Sequence, residues 1–165
     1  MKVVYLLLII SFVAVKAPAQ THLDESLVMK IRFESRDTIY NYTMDELKKI
    51  APNQLSTPLP WRKEKRAYQG IYLKDLLKHH ETSLNIRCIE IIAANGYKAT
   101  FTRDNLVNTH FFLAYQDEGQ PISIRQKGPI TVISDLNNLN DQAMRDLSLA
   151  YHLVWFANEI VVFEE

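Results

Sequence analysis

The sequence predicts an α+β fold: one mixed β domain carrying short helices. Two observations point there. Segments with strand character outnumber those with helical spacing, and the helical ones are short. The chain of 165 residues suffices for one domain with one core. Hydrophobic content of 47% and charged content of 23% are ordinary for a globular protein. The formal net charge is zero, so there is no electrostatic footprint for nucleic acid.

The central stretch runs from Ile86 to Arg103. An apolar β-branched run ends in Ala93-Ala94, Asn95-Gly96 supplies residues that accept positive φ, and Tyr97 to Thr102 alternates large and small side chains. This predicts a β-hairpin with a primed turn. Thr102 then caps a short helix over 103–108.

The remaining elements follow in chain order. Residues 1–19 read as a cleaved secretory signal: Lys2, the apolar run Val3 to Val15, then the small-x-small pattern Ala17-Pro18-Ala19. The apolar run is short for a spanning helix. A periplasmic or secreted location after cleavage near Ala19 is expected, leaving residues 20–165 as the domain. Residues 20–26 form a tail. Leu27 to Glu34 alternates as a half-exposed strand, Ser35 to Asp37 turns, and Ile39 to Tyr42 is extended. Thr43-Met-Asp-Glu46 is a capping box opening a helix over Met44 to Ile50, stopped by Pro52. Asn41-Tyr42-Thr43 matches a glycosylation acceptor, but the cap is the better use of Thr43.

Gln54 to Tyr68 holds Pro58, Pro60, Trp61 and the run Arg62-Lys63-Glu64-Lys65-Arg66, and reads as a long irregular loop. Cations beside a Trp suit a planar anion, by ion pairing and stacking; the other reading is a solvated loop with Trp61 packed on the edge of the core. A helix over Leu73 to His80 follows, with His79 and His80 in its last turn, where positive charge suits the helix dipole. Adjacent histidines do not share a helix face, so they predict no metal pair. Cys88, the single cysteine, falls inside the predicted strand and is expected to be buried and inert. Strands are expected over Phe111 to Gln116, Pro121 to Arg125 and Ile130 to Ile133, with turns at 117–120 and 126–129. Asn140 or Asp141 is expected to cap a helix reaching Tyr151. Val154 to Phe163 closes the chain as a bent strand. Serine-hydrolase, phosphate-loop and zinc motifs are missing from the sequence.

Ordered motifs resemble the molybdopterin-binding domain of the sulfite oxidase type. They are Tyr68 to Leu77, Ala93-Ala-Asn-Gly-Tyr97, Phe112-Leu-Ala-Tyr115, Asp117 to Ile122, Arg125-Gln-Lys-Gly-Pro-Ile130, and Val154-Trp155 to Val161. The resemblance as a whole extends over about residues 27–164. The resemblance implies that fold and a pocket in which basic and polar side chains hold the phosphate and pterin of molybdopterin. The positions matching that role are Arg125 and Lys127, with Arg103, Arg62 and Trp61 beside them; Arg offers bidentate contacts to an anion. Tyr97 either stacks on the ligand or belongs to the core, and the core is the favoured place for it and for Trp155. Enzymes of this family bind molybdenum through a Cys thiolate in the loop before the Tyr68-x-Gly70 motif. Here Gln54 to Ala67 contains no Cys, and Cys88 lies beyond the following helix. A soft metal without its thiolate argues against carrying the activity over with the fold.

Three functions are therefore expected. One is a non-catalytic exported protein that binds a small anionic ligand and serves a membrane sensor or a redox partner. The second is a molybdopterin-dependent oxidoreductase with an atypical metal site. The third is an interaction subunit using Trp61 to Arg66 as its docking surface. No metal ligands and no catalytic residues are assigned.

Overall fold

A computed structural model describes residues 26–81, 86–138 and 147–165. The expected signal segment, most of the tail, and the cap at Asn140 or Asp141 lie outside the described residues. Among the described residues, ten strands form two five-stranded sheets. In the first, β1 (Leu27–Phe33), β2 (Thr38–Thr43), β5 (Ile86–Ala93), β6 (Lys98–Thr102) and β10 (Ala157–Glu164) run in the order β2-β1-β10-β5-β6. In the second, β3 (Asn53–Leu59), β4 (Arg62–Tyr72), β7 (Phe111–Asp117) and β8 (Gln120–Pro121) are neighbours in that order, and β9 (Thr131–Ser134) pairs with β7. Only β1 and β10 pair in parallel among the described ladders.

The short helices cap these sheets. α1 (Met44–Lys49) and α3 (Arg103–Asn108) start on complete capping boxes, Thr43 with Glu46 and Thr102 with Asn105. In α2 (Leu73–His79), Leu73, Leu76 and Leu77 are all buried, as their one-face spacing requires. α4 (Leu147–Tyr151) ends where expected. The main core lies between the sheets. Met29, Ile31 and Phe33 of β1, Ile89 and Ile91 of β5, Phe101 of β6, and Ile160 and Val162 of β10 meet Ile71 of β4, Leu113 of β7 and the α2 leucines. A second cluster, with Leu55, Tyr68, Phe112 and Ile133, covers the other face of the second sheet. β7 is therefore buried on both faces, which is why Phe111 to Tyr115 is an unbroken apolar run.

The Tyr-x-Gly step in β4 has a steric cause. A Cβ on Gly70 would lie 2.1 Å from the Leu113 carbonyl oxygen and 2.6 Å from the Phe112 ring. The β4–β7 register shifts at this point, between Gln69 and Gly70. Only glycine permits the two backbones this approach.

Several expectations are corrected. Gln54 to Tyr68 is not a loop but most of the β3–β4 hairpin, turning at Pro60 and Trp61. Leu55, Thr57 and Leu59 are buried in alternation, and Pro58 is tolerated because β3 is an edge strand. Pro121 to Arg125 is not a strand. Pairing stops at Pro121, and Ser123 and Gln126 form a capping box around a 3₁₀ turn, Ile124–Gln126. The turn at Asn95-Gly96 is not primed. Gly96 alone takes positive φ there (86°), Ala93 N–H donates to Tyr97 O (2.8 Å) and Gly96 N–H to Ala93 O (2.9 Å), making a three-residue loop. The primed geometry occurs instead at Glu118 (φ 51°) and Gly119 (φ 76°), between β7 and β8. The last strand begins at Ala157, because Phe156 has φ 57° and breaks the extended run from Val154. Cys88 is half-buried, on the outer face of β5 with Glu90 and Ile92, rather than in the core. His80 is 8% exposed, and burial, aided by the charges of His79 and Arg36, lowers its pKa to about 4. It is neutral near pH 7 and cannot serve the helix dipole as a cation.

Candidate functional site

Three segments distant in sequence meet at one end of the molecule. The β3–β4 tip brings Pro60 and Trp61, the β5–β6 tip brings Asn95 and Tyr97, and α4 with the loop following it brings Ala150, Leu153 and Trp155. They enclose an open cleft of about 410 Å³ with a largely apolar lining. Such a volume is that of a small-molecule site.

Backbone bonds lock these segments together. Ala94 N–H donates to Phe156 O (2.9 Å), which ties the β5–β6 tip to the C-terminal loop. Phe156 N–H donates to Lys127 O (3.0 Å), and Ala157 N–H to Ile130 O (3.0 Å). Lys127 (φ 77°) and Phe156 (φ 57°) are both non-glycine residues in the left-handed region, joined by one of these bonds. Strain of this kind is held only where surrounding contacts over-determine it. Gly128 contributes a close pass: a Cβ there would lie 2.0 Å from the Ile122 carbonyl oxygen.

The result is an aromatic wall with one ammonium against it. The Trp61 and Trp155 rings stand edge to face, with centroids 5.3 Å apart at 85°. Lys127 Nζ lies 3.4 Å from the Trp155 ring centroid and 4.1 Å from that of Trp61, which is cation–π geometry. Burial, followed by the nearby Arg62 charge, lowers the Lys127 pKa from its ordinary value. Tyr97 donates its hydroxyl to Tyr151 O (2.8 Å), and Tyr151 Oη accepts from Thr100 N–H (3.1 Å), fixing α4 over the β5–β6 hairpin. Asn95 Oδ1 accepts from Tyr97 N–H (3.1 Å). On the far side of Trp61, a small recess is lined by Lys127, Arg62, Tyr68 and Asp117. Asp117, 7% exposed, accepts from Arg62 Nη1 (3.0 Å) and from Arg66 Nε (2.6 Å).

The structure thus brings Trp61 and Tyr97 together in the cleft, while Lys127 stacks on its Trp61–Trp155 wall and, with Arg62, lines the neighbouring recess rather than the cleft itself. Arg62 is engaged by Asp117 and does not line the main cleft. Arg125 is exposed on the 3₁₀ turn and does not line it either. Arg103 lies at the far end of β6 from the hairpin tip and pairs with Glu165 (3.1 Å); five residues of strand, roughly 17 Å, separate it from the cleft. Tyr97 (41% exposed) and Trp155 (36% exposed) are not core residues but walls of the cleft, as is Trp61 (42% exposed). The sequence signal for Trp155 was its place beside Phe156, where the apolar alternation of the last strand fails.

A thiolate-held molybdenum does not fit these residues. Cys88, the chain's single cysteine, pairs across strands with Thr102 and Phe163, at the end of the β5–β6 ladder away from the cleft. Among the described residues, no three His, Cys, Asp or Glu side chains converge on a metal position. No described helix is long and apolar enough to cross a membrane.

No family model matches the chain, and no curated protein matches it. A solved structure does: the sulfane dehydrogenase SoxCD from Paracoccus pantotrophus aligns with a TM-score of 0.61 at 10% sequence identity. The alignment covers 86% of this chain and 39% of that one, so this chain spans well under half of that protein's length. The likeness shows the fold, remotely related to the molybdopterin-binding type, and at this identity it shows the fold alone.

Proposed function

We propose that this protein is an exported, non-catalytic ligand-binding domain built on a molybdopterin-binding type of fold. One observation carries the reading: the cleft of about 410 Å³ between Trp61, Tyr97 and Trp155, with the Lys127 ammonium stacked against both indoles. Apolar walls with a few convergent polar groups are the ordinary build of a small-molecule site. A small anionic ligand is the matching class, with a membrane sensor or a redox partner reading the bound state. Export rests on the leader-like residues 1–19.

The test uses a convenient property of the chain. Its two tryptophans are both in the cleft, so indole fluorescence reports the site. A screen of small organic acids should yield saturable changes in emission. A broad library that changes neither emission nor melting temperature refutes the reading. Export is checked by N-terminal sequencing of protein from the host's envelope, which should begin at Gln20.

The second reading, an oxidoreductase holding molybdopterin through an atypical site, draws support from the fold likeness to a sulfane dehydrogenase. Elemental and pterin analysis of natively produced protein separates the two. About one equivalent each of molybdenum and pterin favours the enzyme.

A further inference from the structure

We infer that the ligand of the aromatic cleft is a flat aromatic ring carrying a single negative charge, an aryl carboxylate, whose acid end lies toward Trp61 and Lys127. The inference rests on the binding function proposed above and goes on to specify the class of ligand.

Shape comes from the walls. Trp61, Tyr97 and Trp155 present rings, backed by Pro60, Ala150 and Leu153. Rings stack or meet edge to face at such surfaces with a gain beyond buried area. A cavity of about 150 Å³ holds a benzene ring, so about 410 Å³ takes a ring, a short linker and a head group.

Charge sign comes from the polar atoms. Among the described residues, no carboxylate lines the cleft. The indole N–H groups of Trp61 and Trp155 and the Asn95 amide offer donors, and none of the three has a donated bond among those identified. Lys127 adds an ammonium, and no acidic side chain pairs with it among the described ion pairs. A surface made of donors suits an acceptor-rich anion. A cationic ligand would lie beside the Lys127 ammonium on the same wall and be repelled by it.

Charge number comes from what is spent. Arg62 adjoins Lys127 in the recess, and both it and Arg66 are committed to the buried Asp117. Among the described residues, Lys127 is the cation stacked on the Trp61–Trp155 wall, reached from the recess beside the cleft. A phosphate dianion is normally met by several cations or a cradle of backbone amides. A carboxylate needs one.

Isothermal titration calorimetry on the purified protein, at fixed ionic strength, tests this with four probes: phenylacetate, cyclohexylacetate, phenethylammonium and phenyl phosphate. Phenylacetate should bind at least tenfold tighter than each of the other three. Lys127→Asn removes the charge with a residue at ease at positive φ, and should weaken phenylacetate tenfold or more. Lys127→Arg should restore it to within about threefold. Melting temperatures within a few degrees of wild type show that both variants fold. Phenethylammonium or phenyl phosphate binding as tightly as phenylacetate overturns the inference, as does an unchanged affinity in Lys127→Asn. If none of the four binds while other compounds of a broad library do, the ligand class is wrong and the binding function stands. If nothing in the library binds, the binding function itself falls.

Discussion

Lowering the pH from 7 to 5 should destabilise this protein through one residue, His80. It is 8% exposed, its ring lies 4.4 Å from Tyr40 and 5.4 Å from Phe33, and its Nε2 is 3.1 Å from the Tyr42 hydroxyl. Its pKa falls from 6.5 to about 4, by burial first and then by the charges of His79 and Arg36. The folded group therefore stays neutral where the unfolded one takes up a proton. Stability is fully present above pH 6.5, falls as the pH drops through that value, and stops falling below about 4. At roughly 1.4 kcal/mol for each pH unit of separation, the full loss is about 3 kcal/mol, and about 2 kcal/mol of it is reached by pH 5. Above pH 5 the ordinary carboxylates are still mostly ionised, so the window is that of histidine titration, and a His80 variant separates this residue from the chain's other histidines. Urea unfolding followed by circular dichroism should show the midpoint falling by on the order of 1 M between pH 7 and pH 5. The same experiment on His80→Gln, which keeps a polar partner for Tyr42, should lose most of that dependence. An equal pH dependence in wild type and variant would refute the reasoning.

Other perturbations test the frame that holds the cleft. Gly70→Ala puts a Cβ against the Leu113 carbonyl, so it should destabilise by about 3 kcal/mol and lower the melting temperature by roughly 6–12 °C. A thermal melt within 2 °C of wild type would show that β4 and β7 do not approach as described. Thr102→Ala removes the capping box of α3 and should cost about 1 kcal/mol in urea unfolding, without changing phenylacetate affinity. Trp155→Ala removes a wall of the cleft and one face of the Lys127 stack; it should weaken phenylacetate tenfold or more by calorimetry while the protein stays folded.

The parts of the fold legible in the sequence were those set by local chemistry. Thr43 with Glu46 made the capping box that its spacing promised, and Thr102 capped α3 as expected, with Asn105 completing a box beyond that expectation. The β5–β6 hairpin formed around Asn95-Gly96, although as a three-residue loop, because only Gly96 took positive φ. The β3–β4 hairpin was hidden by two prolines and a run of charges. Read on a strand, Arg62 and Arg66 fall on one face, and both reach Asp117. That ion-pair cluster joins residues some fifty positions apart, and no local pattern announces it. The cleft was hidden for the same reason. Its rings come from the β3–β4 tip, the β5–β6 tip and the loop before β10, so Tyr97 and Trp155 read singly as core residues. The Lys127 position was legible from the Arg125 to Ile130 motif, whereas its stacking on two indoles follows from the left-handed turns at Lys127 and Phe156.

The most direct test of the cleft as the ligand site is a ¹H–¹⁵N correlation spectrum recorded through a phenylacetate titration. The chain's two tryptophans give two indole N–H peaks, both from the cleft wall. Both should move together and saturate, with the backbone amides of Asn95, Tyr97 and Lys127 following. Binding accompanied by shifts elsewhere, with both indole peaks unmoved, would contradict the account.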